Sequence, residues 1–122
     1  MKVLVCGGRD YADWQRVLGV LDRLHAERGI TCVIHGAASG ADLLAERWAK
    51  AAQVPYRGYP AQWRRFGQGA GPRRNCLMLA EEHVNCPAKV GLVVAFPGGA
   101  GTAHMVGLAR AEGIEVLEVG RG

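Results

Sequence analysis

Val90-Gly-Leu-Val-Val-Ala-Phe96 runs directly into Pro97-Gly-Gly-Ala-Gly-Thr102, and a helical stretch follows to about Glu112. The valine-rich apolar run reads as a strand buried on both faces. A strand that turns on glycines into an amphipathic helix is half of a parallel crossover unit. Downstream, Gly113 caps the helix and residues 114–119 (IEVLEV) supply the next strand. The same alternation extends upstream to the first residues. Residues 2–6 (KVLVC) form an apolar run ending at Gly7-Gly8. From Asp13, Trp14, Val17, Leu18, Leu21 and Leu24 recur at helical spacing until Gly29 stops the helix near Arg28. Residues 30–35 (ITCVIH) are a β-branched strand, and 41–52 are helical. Residues 54–59 are a weaker strand ending at Pro60. Segment 61–71 has no clear period, and Pro72 opens a helix to about Val84.

Strands alternate with helices throughout. The expected fold is therefore α/β, a Rossmann-like three-layer sandwich. Its five-stranded parallel sheet takes the order 3-2-1-4-5, with helices on both faces and right-handed crossovers. One domain spans 1–122.

The chain has 122 residues, of which 49% are hydrophobic, so disorder is not expected. No apolar run reaches the roughly 18 residues of a membrane helix. Strand-like sequence begins at Lys2 and leaves no room for a signal peptide, so a cytoplasmic location is expected. Glycine stands out, at 18 residues clustered between apolar segments. Such clusters suit loops where backbone must approach something closely. A net charge of +4 favours anionic ligands. Cys6 and Cys32 fall in strands and are expected as buried free thiols. His83 and Cys86 offer two donor groups with no second pair, so no metal site and no cofactor are expected.

In such a sheet, ligands bind beyond the carboxyl ends of the strands, and three glycine loops fall there. They are Gly7-Gly8-Arg9-Asp10-Tyr11, His35-Gly36-Ala37-Ala38-Ser39-Gly40-Ala41-Asp42 and Pro97-Gly98-Gly99-Ala100-Gly101-Thr102. Small residues let backbone N–H groups face an anion, and each following helix adds the positive end of its dipole. The bland alternatives are tight turns, with Thr102 as a helix cap and Ser39–Asp42 as a pair resembling a capping box. The third loop is the most specific of the three. Arg57, Arg64, Arg65, Arg73 and Arg74 lie in or beside segment 61–71, with Trp63 and Phe66 among them. Arginine suits bidentate phosphate contact, and an aromatic ring can stack on a base. Arg64 and Arg65 read as solvated surface. Arg74, beside the glycine turn Gly69-Ala-Gly71-Pro72, reads as functional.

These motifs resemble the YspA/YpsA-related branch of the SLOG superfamily, named for the Smf/DprA and LOG proteins. The resemblance rests on Gly7-Gly8-Arg9-Asp10-Tyr11, HGAASGAD at 35–42, Trp48-Ala49, Pro60-Ala-Gln-Trp63, Gly67, AGPRRN at 70–75, Met78 and AFPGGAGT at 95–102. It implies a Rossmannoid fold and a nucleotide or nucleotide-derived ligand. PGGAGT is similar to the phosphate-binding PGGxGT of LOG cytokinin-nucleotide phosphoribohydrolases. HGAASGAD is similar to a stretch of DprA, which binds single-stranded DNA. LOG enzymes carry a glutamate three residues after the GT of their motif, and Met105 stands there. The YspA-like branch often has an acidic residue before the fourth strand's apolar run, and Gly91 stands there. Phosphate binding therefore carries over, and LOG chemistry does not.

The leading expectation is a phosphate-bearing nucleotide ligand, in a sensor or an enzyme of undefined reaction. Its binding residues would be Gly7, Gly8, Arg9, Gly36, Ser39, Gly40, Arg74, Asn75, Pro97, Gly98, Gly99, Gly101 and Thr102. The alternatives are N-glycosidic hydrolysis of a nucleotide and weak single-stranded nucleic-acid binding like that of DprA. For hydrolysis, Arg74 would hold phosphate or carboxylate, while Asp42 or Asp10 would activate water or stabilise a positive sugar. His35 reads as a hydrogen-bonded, half-buried histidine rather than a general base. His104 lies one turn into the last helix. No membrane partner is expected. The likeness to LOG proteins, which are commonly dimers, raises a homodimer.

Overall fold

The computed structural model describes residues 1–120. Five parallel strands lie in the order β3-β2-β1-β4-β5. They are β1 (Lys2–Cys6), β2 (Cys32–His35), β3 (Tyr56–Gly58), β4 (Val90–Ala95) and β5 (Val116–Glu118). Order and direction agree with the alternation of apolar runs and helices in the sequence. β2, β3 and β5 are each shorter than their apolar runs.

Every residue of central β1 is buried. Its side chains alternate between two cores. Val3 and Val5 face α1 (Trp14–Arg28) and α2 (Ala41–Ala52), while Leu4 and Cys6 face α4 (Ala70–Leu79) and α5 (Ala100–Ala111). That double burial explains why β1 and β4 are continuous apolar runs rather than alternating ones. Each fully buried valine or leucine contributes about 1.5–3 kcal/mol of transfer free energy.

Local chemistry sets the helix bounds. Asp13 accepts a hydrogen bond from the Arg16 amide at 3.1 Å and caps α1. Gly29, at φ +70°, ends that helix. In α2, Ala41, Ala45, Trp48 and Ala49 recur on one buried face. The small residues bring the helix close to the sheet, and Trp48 donates its indole N–H to Asp22 of α1 at 2.8 Å.

Segment 61–71 is not a structureless loop. It holds α3 (Trp63–Phe66), a 3-10 turn at Gly67–Gly69 and the start of α4 at Ala70. Pro72 thus lies inside the first turn of α4, where its missing N–H has no intrahelical acceptor to lose. Beyond Leu79 the chain widens into a π-helical turn, Ala80–Val84.

β1 sits between β2 and β4, and the connections that follow β1 and β4 lead to helices on opposite faces of the sheet, α1 and α5. This is the switch point where α/β sheets open a crevice. No helix among the described residues is long and apolar enough to cross a membrane.

Candidate functional site

The three glycine loops meet at that crevice and brace one another. The Gly8 amide donates to Pro97 O at 2.9 Å, and Gly8 O accepts from the Ala41 amide at 3.1 Å. Ser39 Oγ donates to Arg9 O at 3.0 Å. The glycines divide into two sets. A Cβ on Gly40 would lie 2.1 Å from Gly8 O, and one on Gly98 would lie 2.2 Å from Thr102 Oγ1. These positions, with Gly7, are bare because chain packs on chain. Gly99 and Gly101 have nothing within 4 Å of such an atom. Packing therefore does not require glycine there, and both residues line the cleft.

The cleft encloses about 650 Å³. That is the size of an ordinary small-molecule site. Gly7, Gly8, Arg9, Asp10, Gly36, Asp42, Arg74, Asn75, Gly99, Gly101 and Thr102 all line it. Pro97, Gly98 and Gly40 stand behind its wall, and Ser39 lines an adjoining lobe. The first helix on this rim, α2, has its leading amide occupied by Gly8 O. The other, α5, begins at Ala100 after Gly99, and no side chain caps it. Thr102 is therefore not the cap that its position suggests.

Across from α5 stands Arg74. Its Nη1 donates to Gly36 O, and its Nε donates to Asn75 Oδ1 at 2.9 Å. Burial first, then the like charge of Arg9, lower its pKa, and the nearby Asp42 carboxylate opposes the shift. Asn75 is buried and donates to Gly101 O at 3.3 Å. Its Nδ2 also lies 3.1 Å from His104 Nδ1. This chain of contacts fixes the guanidinium relative to the N-terminus of α5. His104, which from its place one turn into the last helix could add charge near a phosphate, lines the cleft.

The acidic residues differ. Asp10 is exposed at the rim. Asp42 is buried, and its Oδ2 accepts the amides of Gly36 and Ala38, each at 3.2 Å. Burial pushes its pKa up from the ordinary aspartate value despite those two bonds. Ser39 and Asp42 do not form a capping box, because each side chain reaches backbone in its own loop or the first one. His35 is fully buried rather than half-buried. Its Nδ1 accepts the Ala37 amide at 2.9 Å, and its Nε2 lies 3.1 Å from Glu46 Oε1. Both ring nitrogens are engaged away from the cleft. Cys6 lies on the floor, where burial pushes its thiol up to about 12. It acts as a small apolar group, not a nucleophile.

Two sequence features fall elsewhere. Met105, at the position of the LOG glutamate, is buried in the core on the α4–α5 side of the sheet. Arg57 is turned away from the cleft and grips Glu82 with two bonds, at 2.7 and 2.6 Å. Glu82 also accepts from Lys2 Nζ at 3.1 Å and Tyr59 OH at 2.7 Å. No short motif announces this buried cluster, because Lys2, Arg57 and Glu82 are distant in sequence. His83 and Cys86 belong to its surroundings: His83 Nδ1 accepts the Val90 amide, and Cys86 Sγ lies 3.5 Å from Lys2 Nζ. Trp63 is on the cleft wall with the Arg9 guanidinium 4.5 Å from its ring centre, while Arg73 and Arg65 stack on Phe66.

A family model described as the YspA, cpYpsA-related SLOG family matches residues 1–66. That stretch contains the first two glycine loops and Trp63. The Pro97–Thr102 loop lies beyond it and stands on its own geometry. The chain is also 34% identical over 127 aligned residues to the Gene 61 protein of Mycobacterium phage D29, covering 98% of this chain and 96% of the phage protein. With the parallel sheet and its loop cluster in place, these likenesses establish that the chain belongs to the YspA, cpYpsA-related SLOG family.

Proposed function

We propose that the cleft binds a nucleotide or nucleotide-derived small molecule, with a phosphate seated on the amides of Gly99–Thr102. One observation carries the reading. The N-terminus of α5 opens into the cleft without a side-chain cap, and Gly99 and Gly101, with nothing packed against them, leave its amides uncovered. Unsatisfied helix amides and the dipole both favour an anion there. Arg74 supplies the facing charge, held by Gly36 and Asn75. The protein would act as a sensor or as an enzyme of undefined reaction. Titration calorimetry tests the reading with nucleoside monophosphates and the matching nucleosides. Wild type should prefer the phosphorylated form. Arg74→Ala should weaken it about tenfold to a hundredfold, since hydrogen bonds to charged groups are worth about 1.5–3 kcal/mol. Equal binding of nucleotide and nucleoside would overturn the assignment.

A second reading, hydrolysis of a nucleotide's N-glycosidic bond, is supported by the two carboxyl groups on the cleft. Asp42, with its raised pKa, would protonate the departing base, and Asp10 would stabilise the positive sugar or activate water. Met105 leaves α5 without a carboxylate, and of the acidic residues that could take its place Asp10 and Asp42 line the cleft, whereas Glu46 pairs with His35 and Lys50. Chromatography of nucleoside monophosphates incubated with the protein would detect free base. Release lost in both Asp42→Asn and Asp10→Asn supports hydrolysis, whereas no release with retained binding leaves a binding protein.

A further inference from the structure

The cleft does not end at the proposed phosphate seat. A second, half-open lobe of about 300 Å³ adjoins the main one, lined on its own side by Ala37, Ser39, Pro60 and Ala61. The two lobes share Arg9, Gly36, Ala38, Trp63 and Arg74. The divide between them therefore carries two guanidinium groups. Neither forms a salt bridge among the described residues. Arg9 lies on the Trp63 ring, and Arg74 is held by a carbonyl and an amide oxygen. Arg9 is exposed and Arg74 partly buried, with the Asp42 carboxylate near Arg74, so the two guanidinium groups present more positive charge than that one carboxylate offsets and favour an anion spanning both.

We infer that the cleft takes a diphosphate-linked ligand, with a nucleoside in one lobe and a second, sugar-sized polar group in the other. The inference rests on the phosphate reading above and names the ligand class that would fill this site. One phosphate sits on the start of α5. The next lies at the waist, where Arg9 and Arg74 contact it. The ligand then turns past Ala38, whose side chain is small, while the Arg74 guanidinium covers Gly36. Trp63, backed by Arg9, offers an aromatic face at the same waist. A ligand ending in a terminal phosphate would leave the second lobe empty and engage only part of the arginine pair.

Calorimetric titration of the full chain with AMP, ADP, ADP-ribose and a short single-stranded oligonucleotide distinguishes the possibilities. ADP should bind about tenfold more tightly than AMP, and ADP-ribose more tightly again, as expected for one added charge-assisted contact and then added burial. Arg9→Ala should narrow the ADP-to-AMP ratio to less than about threefold, the loss expected for that contact. Ala61→Trp, which fills the second lobe only, should remove the advantage of ADP-ribose over ADP. A thermal melt matching wild type shows that this variant is folded, and Ala61→Leu is the milder substitution if it is not. Equal affinity for AMP, ADP and ADP-ribose in wild type would overturn the inference while leaving the phosphate seat intact. Tighter binding of the oligonucleotide than of ADP-ribose would overturn it in favour of a strand. Failure of every phosphorylated ligand to bind would remove both this inference and the reading beneath it.

Discussion

Gly40 and Gly99 look alike as letters in glycine-rich loops, yet their environments are opposite. Gly40 has φ +77° and lies against the first loop, whereas Gly99 has φ −104° and open space around it. Gly40→Ala should therefore lower unfolding stability by about 2 kcal/mol or more, through strain and collision with Gly8 O. Gly99→Ala should stay within about 0.5 kcal/mol of wild type in the same denaturation experiment. Glu82 permits a pH prediction. Hydrogen bonds from Arg57 above all, then Tyr59 and Lys2, hold its carboxyl down to about 2 against the opposing effect of burial. A depressed folded value means stability that is complete above the ordinary value of 4.5 and lost as pH falls toward 2. Glu82→Gln should cost about 3 to 5 kcal/mol near neutral pH by leaving buried Lys2 unpaired. Its deficit should close as pH falls through that range. Asp42, raised by burial, has the opposite sign: it favours folding when protonated, and that contribution is lost as pH rises through its folded value. Urea unfolding of wild type and Glu82→Gln across the acid range checks the sign, and a deficit that does not shrink in acid would contradict it.

At the scale of elements, α5 carries the proposed binding and α4 aims it. Asn75 is the link, because it joins Arg74 to Gly101 O and sits beside His104. Asn75→Ala should weaken nucleotide binding about tenfold by releasing both sides, the scale of one hydrogen bond to a charged group, without removing a charge. Gly99→Asp should abolish binding by placing a carboxylate on the seat. Titration of both variants with AMP reads these outcomes. The elements also show what sequence can convey. β1 and β4 were legible because residues buried on both faces leave unbroken apolar runs. α1 was legible from Asp13, the spacing of Val17, Leu21 and Leu24, and Gly29. α3 was not, since its few residues, Trp63–Phe66, bury no side chain completely and so leave no period to read. The π-helical turn at Ala80–Val84 was equally hidden: Asn85 donates to Ala80 O at 2.8 Å in a wider turn, and no residue type marks that choice. Arg57 was grouped with the cleft by its neighbours in sequence, but its partner Glu82 pulls it away through a contact that only the fold creates.

For the whole molecule, the alternation of strand and helix points to a parallel sheet, the order 3-2-1-4-5 expected from its class is the one observed, and the site follows from that order. A 3-2-1-4-5 sheet must part its loops beside β1 and β4, so glycine loops after those strands converge even though they are remote in sequence. What the sequence could not separate was glycine pressed against other loops from glycine with open space around it, because only the folded loops show which Cβ atoms would collide. A net charge of +4 is modest for a strand-tracking groove, so weak nucleic-acid binding is the expected outcome. Single-stranded DNA should bind weakly and lose affinity as salt rises, whereas submicromolar binding at physiological salt would favour a strand-binding role. The most direct test of the central claim is a two-dimensional amide NMR spectrum of the chain titrated with AMP and, separately, with adenosine. The amides of Gly99, Ala100, Gly101 and Thr102 should shift together with AMP, follow the calorimetric affinity, and stay still in Gly99→Asp. Equal shifts with adenosine, or AMP shifts confined to residues away from the start of α5, would contradict the phosphate seat.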